Sequence, residues 1–390
     1  YHLTPNATPN NPNLLDGQRS IEYELVSASV DAGTLEVTVE FRILSDGTPL
    51  DVANLPADLA GPGRYPGLLL AWAFTQDGID EPADFNNLGQ RAAQPFSIGL
   101  DDFFGGGTAG THAYDAGSGI NTVVVTDLDL VFPPFTTLQT VGLQGYFQQD
   151  IGGDTVSLHA ISAVIAVDPD DERRVVVDTM KCANCHEWFE GHGGNRVGGM
   201  RIGEDENNFS IQICTLCHLP NQSSSGRAVT DPAARGLNTA MQEAIDAGHL
   251  DPSVDPNDPG TYPEDAQNLK DLIHGIHSSG FRDAPYQHVR GPGRQGYYDW
   301  SEVTFPRGAS TANCTLCHDG DSYELPLPDD VLATTVRTTL LFDGQDTGGA
   351  GAEDAFVNVP NENDWVNSPL SGTCIMCHNS PSAIAHMLQN

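Results

Sequence analysis

Cations are scarce in this chain, with 17 lysines and arginines against 53 aspartates and glutamates, a formal charge of -36. A protein so acidic lacks the positive footprint that nucleic acid requires, and an anionic membrane face repels it. Long apolar runs are missing too, since no stretch reaches the about eighteen residues that a membrane-spanning helix needs. Methionine is rare, at 5 residues, so thioether sulfur is a poor competitor wherever a metal ligand is wanted. No cysteine is left over once the motifs below are assembled. What is present is length: 390 residues suffice for two or three domains and a sizeable core.

All eight cysteines fall in four copies of C-x-x-C-H: Cys182 and Cys185 with His186, Cys214 and Cys217 with His218, Cys314 and Cys317 with His318, and Cys374 and Cys377 with His378. Two cysteines three positions apart lie on one side of a helical turn, where both sulfurs can add to the two vinyl groups of one haem. The adjacent histidine then reaches the iron. Two C-x-x-C pairs would also suit tetrahedral zinc, but zinc has no need of the following histidine. With 13 His in 390 residues, histidine fills a given position about once in thirty, and four coincidences come to about one in a million. The expectation is four haem c groups.

Each motif histidine supplies one axial ligand, and the sixth ligand decides the chemistry. A histidine there saturates the iron for electron transfer, methionine raises the potential, and an open position admits substrate. Nine histidines remain, and four stand in marked contexts: His192, His274, His277 and His386. His274 and His277 in LKDLIHGIH lie three apart on one helix face. They cannot serve one iron from opposite sides of a ring, so they are expected to serve two neighbouring haems; a zinc chelate is the other reading of the pair. His192 follows His186 by six residues and His386 follows His378 by eight, links too short to round a porphyrin edge with ease, so both are expected to cross to a neighbouring haem. His288, His249 and His2 are reserves, and Met387 beside His386 is the methionine to watch.

Residues 1–19 read as an extended arm rich in Asn and Pro, either frayed or docked on another subunit. Residues 20–168 carry short alternating β-branched segments (20–30, 34–44, 67–75, 121–132, 137–148 and 155–167) broken by turns such as Ser45-Asp46-Gly47. An all-β domain is predicted, a sandwich or split barrel, with 101–119 as a loop and His159 as a structural residue. Residues 169–390 hold all four motifs among Gly, Pro, Asn and Asp, with short helices expected near 238–247 and 265–277 and a polar surface insert between 221 and 263. With about one haem per fifty residues there, the macrocycles themselves are expected to form much of the interior. Acidic loops at 168–172 and 319–321 offer oxygen ligands for Ca2+, though neither matches an EF-hand. Asn221 begins an N-x-S sequon.

Several local runs carry a family likeness: HGGN after the first motif, Leu219-Pro220-Asn221 after the second, the LIHGIH helix, Phe305-Pro306 before the third motif and Ala385-His386-Met387 after the last. With the preceding β-domain they resemble the extracellular multihaem cytochromes of the OmcA/MtrC type. That resemblance implies closely spaced bis-histidine haems, distal ligands at His192, His274, His277 and His386, and delivery of respiratory electrons to minerals, soluble shuttles or other cytochromes. The family's usual members carry ten haems in two halves and a lipid anchor, whereas this sequence shows one β-domain, four motifs and no cysteine near Tyr1. Haem attachment takes place outside the cytoplasm, so a processed, exported chain is expected. The short haem set also suggests copies of the chain stacked into a conductive filament.

Two other classes stay open on the sequence. A multihaem reductase would need one open iron and a pocket, for which Arg282, Arg290, Arg294, Tyr286 and Tyr297 are candidates; the same groups equally suit haem propionates. A zinc-stabilised adhesion module would be colourless.

Overall fold

The computed structural model describes residues 15–59, 65–90, 93–200, 209–224, 231–290, 296–306, 309–337, 360 and 364–389. Most of the arm, with His2, and Arg294 lie outside these residues. The chain forms many short strands in small antiparallel sheets and a few short helices. Two compact units result: one runs to Phe74 and adds Pro95–Cys217 and Cys317–Ser322, while the other holds Thr75–Gln94, His218–Leu316 and the chain from Tyr323 onward.

The first unit is built on two sheets. One has the order β1 (Ile21–Val30), β2 (Val37–Ser45), β7 (Ile120–Val125), β6 (Gly110–Asp115), with β3 (Thr48–Pro49) on the other half of β2. The second has the order β11 (Ala163–Ala166), β8 (Thr137–Gln144), β4 (Gly67–Ala73), β5 (Phe96–Gly99), and β9 (Tyr146–Ile151) pairs with β10 (Asp154–His159) as a hairpin. In β2 the alternation V-T-V-E-F-R-I buries every second side chain. Val37, Val39, Phe41 and Ile43 meet Leu70, Trp72, Val123 and Val141 in one continuous core. The expected all-β sandwich is therefore present. Strand β4, GLLLAWA, is buried on both faces. Its uniform apolarity marks a central strand with cover on each side.

Four boundaries depart from the sequence reading, two of them by splitting: 137–148 divides at Gly145 between β8 and β9, and 155–167 divides between β10 and β11. The segment 101–119, expected as a loop, contains β6, an edge strand paired to β7 whose side chains alternate between partly buried and exposed. The strand expected over 121–132 ends at Val125, where the Asp127 carbonyl begins a turn to Leu130.

The same unit carries α1 (Thr179–Cys182), α2 (Gln212–Thr215) and a three-stranded sheet of β12 (Trp188–Gly191), β13 (Arg196–Met200) and β14 (Phe209–Ser210). Helix α2 lies on the outer face of the second sheet. A Cβ at Gly142 would come within 2.7 Å of Ile213 Cδ1 and of Leu216 Cδ1, so the missing side chain is the notch that seats the second motif.

The second unit contains α3 (Leu237–Asp246), α4 (Leu269–Ser278), α5 (Pro369–Ile375) and α6 (Pro381–Met387), with hairpins β15 (Gln287–Arg290)/β16 (Gly296–Asp299) and β17 (Thr334–Arg337)/β18 (Trp365–Asn367). The polar insert is more than surface: Leu237, Met241, Leu250, Val254 and Tyr262 pack with Val289 in a small core of their own. Asn221 is buried and exchanges side-chain hydrogen bonds with Gln76, at 2.9 Å each way, which removes it as a glycan acceptor.

Candidate haem-attachment and iron-ligand sites

No pair of the eight cysteines forms a disulfide. The motifs sit on single helical turns, where backbone hydrogen bonds fold each pair back on itself: Cys185 and His186 donate to the Cys182 carbonyl at 3.1 and 2.9 Å, Cys217 donates to Cys214 at 3.3 Å, and Cys377 and His378 donate to Cys374 at 3.2 and 2.9 Å. Residues 314–316 form a 3-10 turn. Caps start these turns. The Asp178 side chain accepts from Met180 N at 3.0 Å before the first motif, and Ser368 accepts from Ser371 N at 3.2 Å before the last.

In the first unit the first and third motifs are knitted together. Val177 and His318 form an antiparallel bridge, Asp178 N donates to the Cys317 carbonyl at 3.0 Å, and Asp319 N donates to Val176 at 3.1 Å. Lys181 Nζ adds a bond to the His318 carbonyl. The sequence order of the motifs does not show this pairing. Ser322 donates its one hydroxyl proton to the Val176 carbonyl at 2.5 Å, so at 3.2 Å from His318 Nδ1 it accepts. That hydrogen bond makes Nε2 the nitrogen that would ligate iron. Burial also lowers the His318 pKa, which favours the neutral, metal-binding ring.

His192 occupies the turn between β12 and β13, and His192, Gly193 and Gly194 are successively left-handed, with φ of 55°, 68° and 81°. A histidine at positive φ needs tertiary support, and glycines on its C-terminal side ease the rest of the turn. His186 packs on Phe189, ring centroids 4.4 Å apart, and Phe189 meets Phe209 edge-on at 5.7 Å.

In the second unit α4 is the hub. Asn268 caps it, accepting from Lys270 N at 3.4 Å. Its first residue, Leu269, donates to the His218 carbonyl at 3.1 Å, and His218 Nδ1 donates to the Gln267 carbonyl at 2.9 Å. At its other end the one hydroxyl proton of Ser278 is shared between the His274 carbonyl, at 2.6 Å, and the Met376 carbonyl, at 2.7 Å, within the fourth motif. The helix bearing His274 and His277 is thus tied at one end to the second motif's histidine and at the other to the fourth motif. His277 Nδ1 donates to Ile273 O at 2.8 Å, so Nε2 is again the nitrogen that would ligate iron. Gly275 between them has a packing cause: a Cβ there would collide with the ring of Tyr286, which is fully buried and donates to Ala266 O at 2.6 Å.

His386 lies on α6, capped by Ser380, and Met387 packs with the Tyr286–Ile375–Met376 cluster. His288 is buried, 2% exposed, between Tyr298 and Trp300, with ring centroids 5.2 Å from each. Burial holds its pKa down at about 3, with Arg290 and then His218 adding to the effect. His249 lies beyond α3, and its carbonyl accepts from Gln287 Nε2 at 2.5 Å.

The residues fit haem better than zinc. Burial pushes the Cys182 and Cys214 thiols up to about 11. Among the described residues no three His, Cys, Asp or Glu side chains converge to hold a metal ion, which bears on the acidic loops as well. Two half-buried arginines also carry shielded donors without a hydrogen bond: Nε of Arg196, close enough to Cys214 to lower its thiol pKa, and Nε and Nη1 of Arg282, which does the same to Cys377. Shielded N–H groups of a cation beside a motif cysteine are donors that a haem propionate would satisfy. Arg282 was foreseeable as a pocket candidate. Arg196, one residue after HGGN, gave no sequence signal beyond its position, and Ser322 and Gln267 gave none.

A β-sandwich joined to four C-x-x-C-H turns, with imidazoles oriented by Nδ1 hydrogen bonds, defines a multihaem c-type cytochrome. Residues 174–390, more than half of the chain, match the family described as outer membrane cytochrome MtrC/MtrF-like, domains II/IV, and the chain belongs to that family. Among solved structures it is similar over 93% of its length to 44% of the outer membrane decaheme cytochrome OmcA, with 17% identity and a TM-score of 0.41. It is similar over 94% of its length to 46% of MtrC from Shewanella baltica OS185, with 13% identity and a TM-score of 0.46. The chain therefore spans less than half the length of either structure. No curated protein matches it.

Proposed function

We propose that this protein is an extracellular electron carrier that holds four haem c groups, each tied by one cysteine pair and ligated by His186, His218, His318 and His378. The observation that carries this reading is the pairing of C-x-x-C-H turns with Nδ1-anchored imidazoles at His218 and His318. Bound haem would supply reversible one-electron exchange between ferric and ferrous iron. The protein's part is position. Lys181 and the Val177–His318 bridge hold the first and third attachment turns side by side, and α4 ties the second to the fourth. Arg196 and Arg282 would neutralise propionates, and the Nδ1 acceptors raise the basicity of the iron ligands.

His192, His274, His277 and His386 are the distal ligands in this reading, so every iron is six-coordinate and no substrate site is left. Functionally the chain divides at 168/169 into a β-domain and a haem domain, preceded by the 1–19 arm. Electrons pass to other cytochromes, minerals or shuttles, and copies of the chain stack end to end as a filament. Mass spectrometry and pyridine haemochrome assay of the purified holoprotein would count four haems, and EPR would show only low-spin ferric iron. A count other than four, or a high-spin ferric signal in the unmodified protein, sinks the ligand assignment. Discrete monomer-sized particles in negative stain would remove the filament.

A further inference from the structure

One titratable group of the β-domain has no part in the account above. His159 ends β10, and the sequence reading takes it as structural. Its Nδ1 donates to the Gly194 carbonyl at 2.8 Å, inside the HGGN turn that carries His192. Its Nε2 lies 3.5 Å from Glu190 Oε1 on the strand leading into that turn, and its ring leans on Tyr146 at 4.6 Å between centroids. The ring thus holds the turn through Nδ1, and a protonated ring adds the ion pair with Glu190. A Cβ on Gly194 would run into the imidazole, so the glycine provides the close approach as well as the positive φ of 81°. Neighbouring backbone completes the grip, with Gly145 N donating to Asn195 O at 2.8 Å and Ser162 N to Val197 O at 2.9 Å.

Three consecutive left-handed residues are conformationally expensive for a histidine and do not persist without outside contacts. We infer that His159 is a positioning residue for His192: it locks the HGGN turn against the β-domain, so that the His192 imidazole is presented to an iron at a fixed place. The inference rests on the reading of His192 as an iron ligand, and the two fail separately. The sandwich then acts on the redox half directly, by fixing one ligand turn.

The test uses the holoprotein and carbon monoxide, which binds ferrous haem only where the sixth position opens. His192→Ala should leave four haems attached and let one of them bind carbon monoxide. His159→Phe keeps the ring volume and removes the donor; loss of one ordinary hydrogen bond should raise carbon monoxide uptake at that same haem by up to about tenfold and shift one low-spin EPR signal. His159→Asn, which keeps a donor near Nδ1, should stay close to wild type. Gly194→Ala leaves His159 in place but forces the turn off it, and should reproduce the His159→Phe change even if that variant is poorly produced. If His192→Ala opens a haem while His159→Phe and Gly194→Ala behave as wild type, the positioning role is overturned and the ligand stands. If His192→Ala itself takes up no carbon monoxide, the ligand reading fails.

Discussion

The β-sandwich and the α4 region hold themselves together by different means. In the sandwich, alternating strands put Val39, Phe41, Leu70, Trp72 and Val123 into one shared interior, and apolar area removed from water is the main source of stability. Around α4 the apolar clusters are small, Tyr286 with Ile375 and Met376 in one and α3 with Tyr262 in the other. Order comes there from caps and single hydrogen bonds: Asn268 and Ser380 at helix starts, Ser278 on Met376, Tyr286 on Ala266. Buried Arg282 donors are left over in that region, whereas the sandwich's buried Tyr23 hydroxyl donates to Gly145 O at 3.0 Å. Nε and Nη1 of Arg282 are the donors that a haem propionate would satisfy there.

That contrast can be broken by mutation. Phe41→Ala should cost the sandwich about 3 to 5 kcal/mol, from lost burial plus a cavity, with haem count unchanged. Denaturant unfolding followed by near-ultraviolet circular dichroism of Trp72, together with a haemochrome assay, checks both halves. A parallel loss of haem would show that the two regions are not separately stabilised.

The second test is acid. His288 is held neutral by burial, with Arg290 and His218 as the charged or titratable groups facing it and Tyr286, Tyr298 and Trp300 around the ring. Its folded pKa of about 3 lies below the ordinary 6.5, so its contribution is present above pH 6.5 and is lost as pH falls toward 3. On the order of 4 kcal/mol is at stake at the acid end. His288→Phe should flatten the fall of stability across that window. An unchanged acid profile would mean that another group governs it.

The smallest effect is the most diagnostic of packing. Alanine is the better helix former by about 1 kcal/mol, yet Gly275→Ala should destabilise by about 1 to 3 kcal/mol, because its Cβ meets Tyr286. Thermal unfolding of the holoprotein measures the sign. A gain in stability would show that Tyr286 is free to shift.

The four motif turns were legible because they are local: C-x-x-C-H needs only one helical turn, and the residues spell it out. The sandwich was legible because period-two alternation reports a buried face, as in V-T-V-E-F-R-I. The edge strand β6 escaped notice since its pattern buries nothing completely. The contact that His159 makes was hidden for a related reason. In sequence it is one polar residue in a strand, and its partner Gly194 is 35 positions away.

By itself, then, the sequence determined the four C-x-x-C-H motifs with their adjacent histidines and the class of the first domain, all set by spacing within a turn or a strand. Tertiary structure alone decided which motifs lie together, the first beside the third and α4 between the second and the fourth. It also decided which nitrogen of His218, His277 and His318 an oxygen engages, and it brought Arg196 to Cys214, Ser322 to His318 and His159 to Gly194. Hydrogen bonds and buried charges act through space at about 3 Å, and nothing in the order of residues along a chain states which distant groups will come that close.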